Sequence, residues 1–387
     1  MRKMFLPVLL LCMLCLTAMS ATDPQDITAR CRLSGAGGRE GHRAMTDGAY
    51  KSTWETADRP EATLEIQLPP GTAEGGLYLR FNHIPAQWTL TDENGVLLAR
   101  GDDRGFPHVY LPFQRAQRLH LWMQRAAGAR MGIAELSVLE GKEPPAWVQR
   151  WLPTYEQADL LVLVAHPDDD LLFMGGAVPW YAVEEGRRVV VAYMTCQNPQ
   201  RRTEALNALW EAGVRHYPVF GDFFDKQLPR EDVWRRWGEE NTLAFVTNLY
   251  RRFKPQVVIS HDLNGEYGHG AHKVTAEAAR DALALAADSA AFPDSASQYG
   301  LWDVPKLYLH LYAQDELIMD WRRPISAQRR TALEAAQAAF KHHKSQNHDK
   351  YQVKDTGPHS SARFGLVRSL VGPDKQKDSF FENIRGR

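Results

Sequence analysis

From about residue 30 to residue 140 the chain alternates apolar and polar positions in short runs: ATLEIQL, GGLYLRF, WTLTDENGVLLA, HVYLPF, RLHLWMQ and MGIAELSVLE. A period of two puts every second side chain on one face, so each run reads as a half-buried strand. With turn residues between the runs, the pattern predicts an all-β sandwich or jelly roll. Near residue 145 the pattern changes. The run LVLVA at 161–165 and the strands predicted at 188–195, 217–220, 257–260 and 306–312 carry little polar alternation, which suits strands buried on both faces. Between them, spacings of three and four predict helices over 171–185, 201–212, 233–253, 270–287 and 327–343. This alternation predicts an α/β domain with a Rossmann-like parallel sheet covered on both faces.

The expected organisation is a leader at 1–21, a β-sandwich at 22–143, a linker at 144–154 broken by Pro144 and Pro145, and an α/β domain at 155–387. In the leader, Arg2 and Lys3 precede the apolar stretch from Phe5 to Leu16, and small residues follow. That is the pattern of a secretory signal peptide, cleaved after Ser20 or Ala21. It predicts a secreted or periplasmic protein. The apolar stretch is too short to span a membrane, and no second one of spanning length follows.

At 387 residues and 44% hydrophobic, the chain has material for large cores and two domains. A formal net charge of -1 with scattered arginines lacks the basic face that a nucleic-acid binder needs. Cys12 and Cys15 leave with the leader, so Cys31 and Cys196 remain. Two cysteines are no disulfide framework, and both are expected to be free structural thiols.

The chemistry concentrates at two strand ends. The run LVLVA stops on His166, Pro167 and three successive carboxylates, Asp168, Asp169 and Asp170. Acids crowded at the carboxyl end of a buried strand repel one another unless a cation sits among them. A hundred residues later, a second apolar strand runs into a loop carrying His261, His269 and His272. Histidines in one loop are ordinarily surface residues. Two such loops at one sheet edge instead suit the two-histidine, one-carboxylate set of a catalytic zinc site with an open position.

AHPDDD at 165–170, RRTE at 201–204, GDFFDK at 221–226 and GEYGHGAH at 265–272 resemble, in order and spacing, the PIG-L (LmbE-like) zinc-dependent N-acetylglucosamine deacetylases. HKSQ at 343–346 and the segment 364–384 are similar to the longer members. The resemblance implies His166, Asp169 and His272 as ligands of Zn2+ or another divalent ion such as iron(II). It implies Asp168 as general base, His269 as the second catalytic histidine, and Tyr267 as a group that polarises the carbonyl. Arg201 and Asp225 match substrate-binding positions, although Arg201 with Glu204 is also a plain helix pair and Asp225 a plain turn residue. The implied substrate is an N-acetylated sugar or glycan, the products acetate and an amine.

Two departures bear on activity. Asp170 stands where the family has Glu, and Gly270 and Ala271 stand where many members have an Asp that orients the catalytic histidine. Three functions remain open on the residues: the deacetylase, a metal-dependent amidase for another N-acyl compound, and a carbohydrate-binding protein with an impaired site. Ahead of it, AMTDGAYKSTWET and the strands that follow resemble discoidin-like, galactose-binding-like domains. Trp54, Trp88 and Trp122 are the stacking candidates there, against the ordinary alternative that sandwich tryptophans are core.

Overall fold

The computed structural model describes residues 24–36, 41–55 and 59–385; the leader expected at 1–21 lies outside these. Among the described residues no helix is long and apolar enough to cross a membrane.

Residues 24–140 form two antiparallel five-stranded sheets. One contains Gln25–Asp26, Trp54–Glu55, Glu74–His83, His108–Gln114 and Gly132–Glu140. The other contains Arg32–Ala36, Glu61–Gln67, Gln87–Asp92, Leu97–Asp102 and Arg118–Gln124. Alternation does what its period requires. Ala62, Leu64 and Ile66 of one strand meet Leu119, Leu121 and Met123 of its neighbour in the core between the sheets. The run WTLTDENGVLLA is two strands. Asp92 Oδ1 accepts the Asn94 and Val96 N–H groups at 2.9 and 2.8 Å, and Gly95 takes the positive φ (78°) that closes the turn. Trp54 and Trp88 are core residues, 2% and 5% exposed, so they are not sugar platforms. Trp122 is half-buried, its indole N–H donating to Glu61. Cys31 and Cys196 are free thiols.

The second part is a seven-stranded sheet. Its strands are β1 (Leu160–Val164), β2 (Val189–Tyr193), β3 (Val219–Phe220), β4 (Val257–Ser260), β5 (Lys306–His310), β6 (Glu316–Ile318) and β7 (Arg363–Ser369), in the order β3-β2-β1-β4-β5-β7-β6. The first five are parallel, whereas β7 is antiparallel to both β5 and β6. The expectation of a parallel sheet therefore holds for five strands and fails at the edge that the C-terminal segment builds. Leu160, Val162 and Val164 feed the core on one face of β1, and Leu161 and Leu163 the core on the other. Burial on both faces explains why these runs show no polar alternation.

The helices that concern the site are α1 (Asp169–Leu172), α2 (Pro199–Ala212), α3 (Arg230–Trp237), α4 (Glu239–Phe253), α5 (Gly270–Ala287) and α6 (Ala332–Phe340). Two predicted helices are broken. The one expected over 171–185 stops after α1, because the chain turns at Gly175 (φ 56°) against Trp321 and Ser361. A Cβ there would lie 2.5 Å from Ser361 Oγ. The one expected over 233–253 splits at Gly238 (φ 77°) into α3 and α4.

Residues 144–154 contain no helix or strand beyond a single bridge from Leu152 to His216, but they are packed. Gln149 donates to Asn207 Oδ1 on α2 at 2.5 Å, and Asn207 donates to Tyr50 Oη at 2.9 Å. These buried amide contacts tie the sandwich to the α/β part.

Candidate active site

The five parallel strands each send a loop from their carboxyl ends to one place, where open α/β sheets carry their crevices. After β1 come His166, Asp168 and Asp169; after β2, Arg201; after β3, Asp225. Glu266, Tyr267, His269 and His272 follow β4, and His310 closes β5. All eight residues singled out from the sequence line one cavity of about 130 Å3, together with Leu172, Phe173, Gln346 and Tyr351. A wider cleft of about 990 Å3 opens beside the sandwich. It lacks this convergence of titratable groups, and volume alone does not make a catalytic site.

His166 Nδ1, Asp169 Oδ2 and His272 Nε2 form a nearly equilateral triangle. Its sides are 3.1 Å (His166 to Asp169), 3.2 Å (His166 to His272) and 3.4 Å (His272 to Asp169). Ligand atoms about 2.1 Å from a tetrahedral zinc stand about 3.4 Å apart, so the three atoms have the spacing of one tetrahedral face. Two imidazole nitrogens this close cannot both point hydrogens at each other. The donor set therefore fits a divalent cation.

Two other histidines lie near enough to compete. His261 could join Asp169 and His272, and His269 could join His166 and His272. Their partners argue otherwise, with tautomers assigned from the hydrogen bonds. His261 Nε2 accepts the Ala165 N–H at 2.9 Å, so its proton is on Nδ1, directed at Glu266 Oε2 at 2.8 Å. His269 Nδ1 accepts the Ala271 N–H at 3.3 Å, which leaves Nε2 as the N–H bearer. Burial, with His166 and His272 beside it, pushes His269 down to about 3, so it is a neutral donor. The helix N-terminus thus orients His269, but with the opposite tautomer from the one an acceptor Asp would impose. Gly270 has a separate reason to be there: a Cβ would lie 2.2 Å from the Leu228 carbonyl oxygen.

The carboxylates divide by environment. Burial pushes Asp168 well above the usual carboxylate range, against the pull of Arg201 at 3.1 Å and with Asp169 and Asp170 adding repulsion. Burial acts on Asp169 too, but His272 and His166 hold it well below that range. Asp170 is pushed up to about 7 by burial. Its Oδ1 accepts the Asp168 N–H at 3.3 Å, and the buried Tyr193 hydroxyl against the carboxyl pulls it part of the way back down. Asp168 itself sits at φ 117°, a strained position that aims its carboxylate at Arg201.

Arg201 is no surface pair with Glu204. It bridges Asp168 and Asp225 at 3.1 Å each and donates to the Pro167 carbonyl. Asp225 is also 3.5 Å from His166 Nε2. Tyr267, 54% exposed at φ 57°, stands at the mouth with its ring 4.2 Å from that of His359.

Sequence reasoning missed Glu266. Fully buried, it accepts His261 Nδ1 on Oε2 at 2.8 Å and His310 Nδ1 on Oε1 at 2.6 Å, and its Oε2 lies 2.9 Å from His272 Nδ1. These contacts hold it ionised against its burial. A glutamate inside GEYGHGAH was the available signal, but its partners come from two strand ends, His261 and His272 after β4 and His310 at β5.

Residues 161–283 match the family model described as PIG-L, GlcNAc-PI de-N-acetylase. A 1D-myo-inositol 2-acetamido-2-deoxy-alpha-D-glucopyranoside deacetylase 1 from Catenulispora acidiphila is 30% identical over 179 residues, 38% of this chain and 54% of its own. The corresponding deacetylase from Rhodococcus erythropolis is 30% identical over 183 residues, 38% of this chain and 59% of its own. The chain thus spans little more than half the length of these relatives. Among solved structures, the N,N'-diacetylchitobiose deacetylase from Pyrococcus horikoshii matches with a TM-score of 0.40 and 19% identity, over 53% of this chain and 77% of that one. A family 32 CBM from C. perfringens NanJ, in complex with galactose, matches with a TM-score of 0.26 and 19% identity, over 30% of this chain and 99% of that one. Residues 161–283 are a PIG-L family domain.

Proposed function

We propose that the protein is a metal-dependent hydrolase that removes the acetyl group from 2-acetamido sugars, with His166, Asp169 and His272 holding a zinc ion. The observation that carries this reading is the 3.1–3.4 Å triangle of those three side chains with Asp168 beside it. When bound, such an ion lowers the pKa of its water to about 7 and polarises the scissile carbonyl. Asp168 is the general base. Burial has raised its proton affinity, and Arg201 fixes its direction. His269 presents Nε2–H to the oxygen on which negative charge develops, a role for a neutral donor. Tyr267, beside it at the mouth, is the second donor to that oxygen. The proton taken by Asp168 goes to the leaving nitrogen, giving acetate and a free amine.

The leader pattern at 1–21 favours export, so the substrate is an external glycan or glycoconjugate, with the sandwich helping to hold it. The test is acetate release from a panel of N-acetylated sugars and non-sugar N-acyl amides, with zinc and after chelation. Metal-dependent release from the sugars is the expected result. Release from the amides alone identifies another amidase. Stoichiometric metal binding with no release anywhere leaves a carbohydrate-binding protein.

A further inference from the structure

The cavity wall contributed by Gln346 and Tyr351 lies outside the matched region, which ends at residue 283. Its placement depends on a clasp. Glu204, fully buried on α2, accepts Ser345 N at 2.9 Å on one oxygen and Ser345 Oγ at 2.6 Å on the other; Gln200 donates to the first oxygen at 3.0 Å. The loop beyond is stiffened locally. Gln346 N donates to the His343 carbonyl at 3.0 Å, Tyr351 N to that of Asn347 at 2.8 Å, and Asn347 Oδ1 accepts from Asp349 N and Lys350 N. RRTE and HKSQ are thus two halves of one device.

What the device presents is unspent bonding capacity. Among the described residues the Gln346 amide and the Tyr351 hydroxyl have no hydrogen-bond partner, and both side chains are only half-buried in the cavity wall. The Tyr351 ring stands 5.9 Å from that of Tyr267, which is stacked edge-on to His359. An amide offering both donor and acceptor, a phenol hydroxyl and aromatic faces are the groups that pair with ring hydroxyls and the apolar face of a sugar. A simple N-acyl amine offers nothing for them to bind.

We propose that Gln346 and Tyr351, fastened by the Glu204–Ser345 clasp, are the specificity-determining residues that read the sugar ring attached to the acetamide. This rests on the deacetylase reading. The zinc-loaded full chain is assayed on N-acetylglucosamine oligomers and on an N-acetyl aryl amide that lacks a sugar. Oligomer binding to Asp168→Asn is measured by calorimetry with and without the wall substitutions. Gln346→Ala and Tyr351→Ala are each expected to raise KM for the sugar more than kcat falls, and to lower the ratio of sugar to aryl-amide kcat/KM about tenfold. Glu204→Gln is expected to lower it in the same direction, and oligomer affinity is expected to fall in the calorimeter with either wall substitution. An unchanged ratio with sugar turnover intact in the wild type overturns the wall and leaves the deacetylase standing. Wall-dependent oligomer binding with no turnover overturns the deacetylase and leaves the wall. Absence of both overturns both.

Discussion

Glu266 Oε2 lies 2.9 Å from His272 Nδ1, on the far side of the imidazole from the nitrogen that faces Asp169 and His166. A carboxylate behind a ligand histidine keeps the proton on the rear nitrogen and the lone pair forward. The contact is short but poorly aligned, and Oε2 is shared with His261. Glu266→Gln keeps the shape and removes the charge. It is expected to weaken zinc binding by about 10- to 100-fold, measured by competition against a chelating dye. Unaltered zinc affinity in a folded variant would show that His272 is oriented without it.

Asp168→Asn separates base from ligand. Asn tolerates the positive φ of 117° better than most residues, so the turn should survive. Zinc affinity should stay within a few-fold, while kcat falls by about 10²- to 10⁴-fold, the usual contribution of a positioned base. Paired zinc titration and acetate assay check this, and loss of metal along with activity would count against the assignment.

Gly270→Ala tests why the helix start tolerates no side chain. The new Cβ would fall 2.2 Å from the backbone oxygen of Leu228, which cannot swing away as a side-chain tip can. A cost of about 1–3 kcal/mol is expected, seen as a lower Tm. A loss of activity should accompany it, because His269 caps this same helix.

Acid stability should report on His108, which is 2% exposed and hydrogen-bonded through Nδ1 to Tyr78 Oη at 3.0 Å. Burial, with Arg80 nearby, pushes it down to about 3. The folded pKa is below the unfolded value of about 6.5, so between those values the unfolded chain binds the extra proton. Stability from this group is fully present above about pH 6.5 and is lost as pH falls toward 3. Urea midpoints from pH 7 to 4 should fall more steeply for the wild type than for His108→Asn. Parallel profiles would remove His108 as the cause.

Lys306 and Asp374 form a buried pair at 2.6 Å, which Tyr308 joins by donating to the same carboxylate, and this anchors the C-terminal segment on β5. Lys306→Met leaves a buried carboxylate without its cation and is expected to cost about 3–5 kcal/mol. Lys306→Met with Asp374→Leu should recover part of that. Denaturant unfolding of the two variants decides it, and equal losses would mean that the charge pair is not the source.

Much of the site was legible because its residues are close in sequence to strand ends. His166, Asp168 and Asp169 follow an apolar run directly, and His269 and His272 are one helical turn apart, so local pattern sufficed to bring them to one sheet edge. Glu266 was not legible, since a lone glutamate in a loop acquires meaning only when histidines from α5 and β5 arrive around it. The wall of Gln346 and Tyr351 was hidden for the same reason, as Glu204 and Ser345 are 141 residues apart.

By itself the sequence determined the half-buried strands of the sandwich, the fully buried strands β1, β2, β4 and β5, and the histidine and carboxylate residue types at the strand ends. Each depends on a period of two or on neighbours along the chain. Tertiary structure alone decided where α1 ends, because Gly175 and Gly176 pack against Trp321, Ser361 and Ala332. It also decided that β6 and β7 join antiparallel, that Trp54 and Trp88 are core, and that a backbone N–H orients His269. These outcomes depend on which distant surface arrives, and a linear pattern of polar and apolar residues carries no distance between segments that meet only on folding.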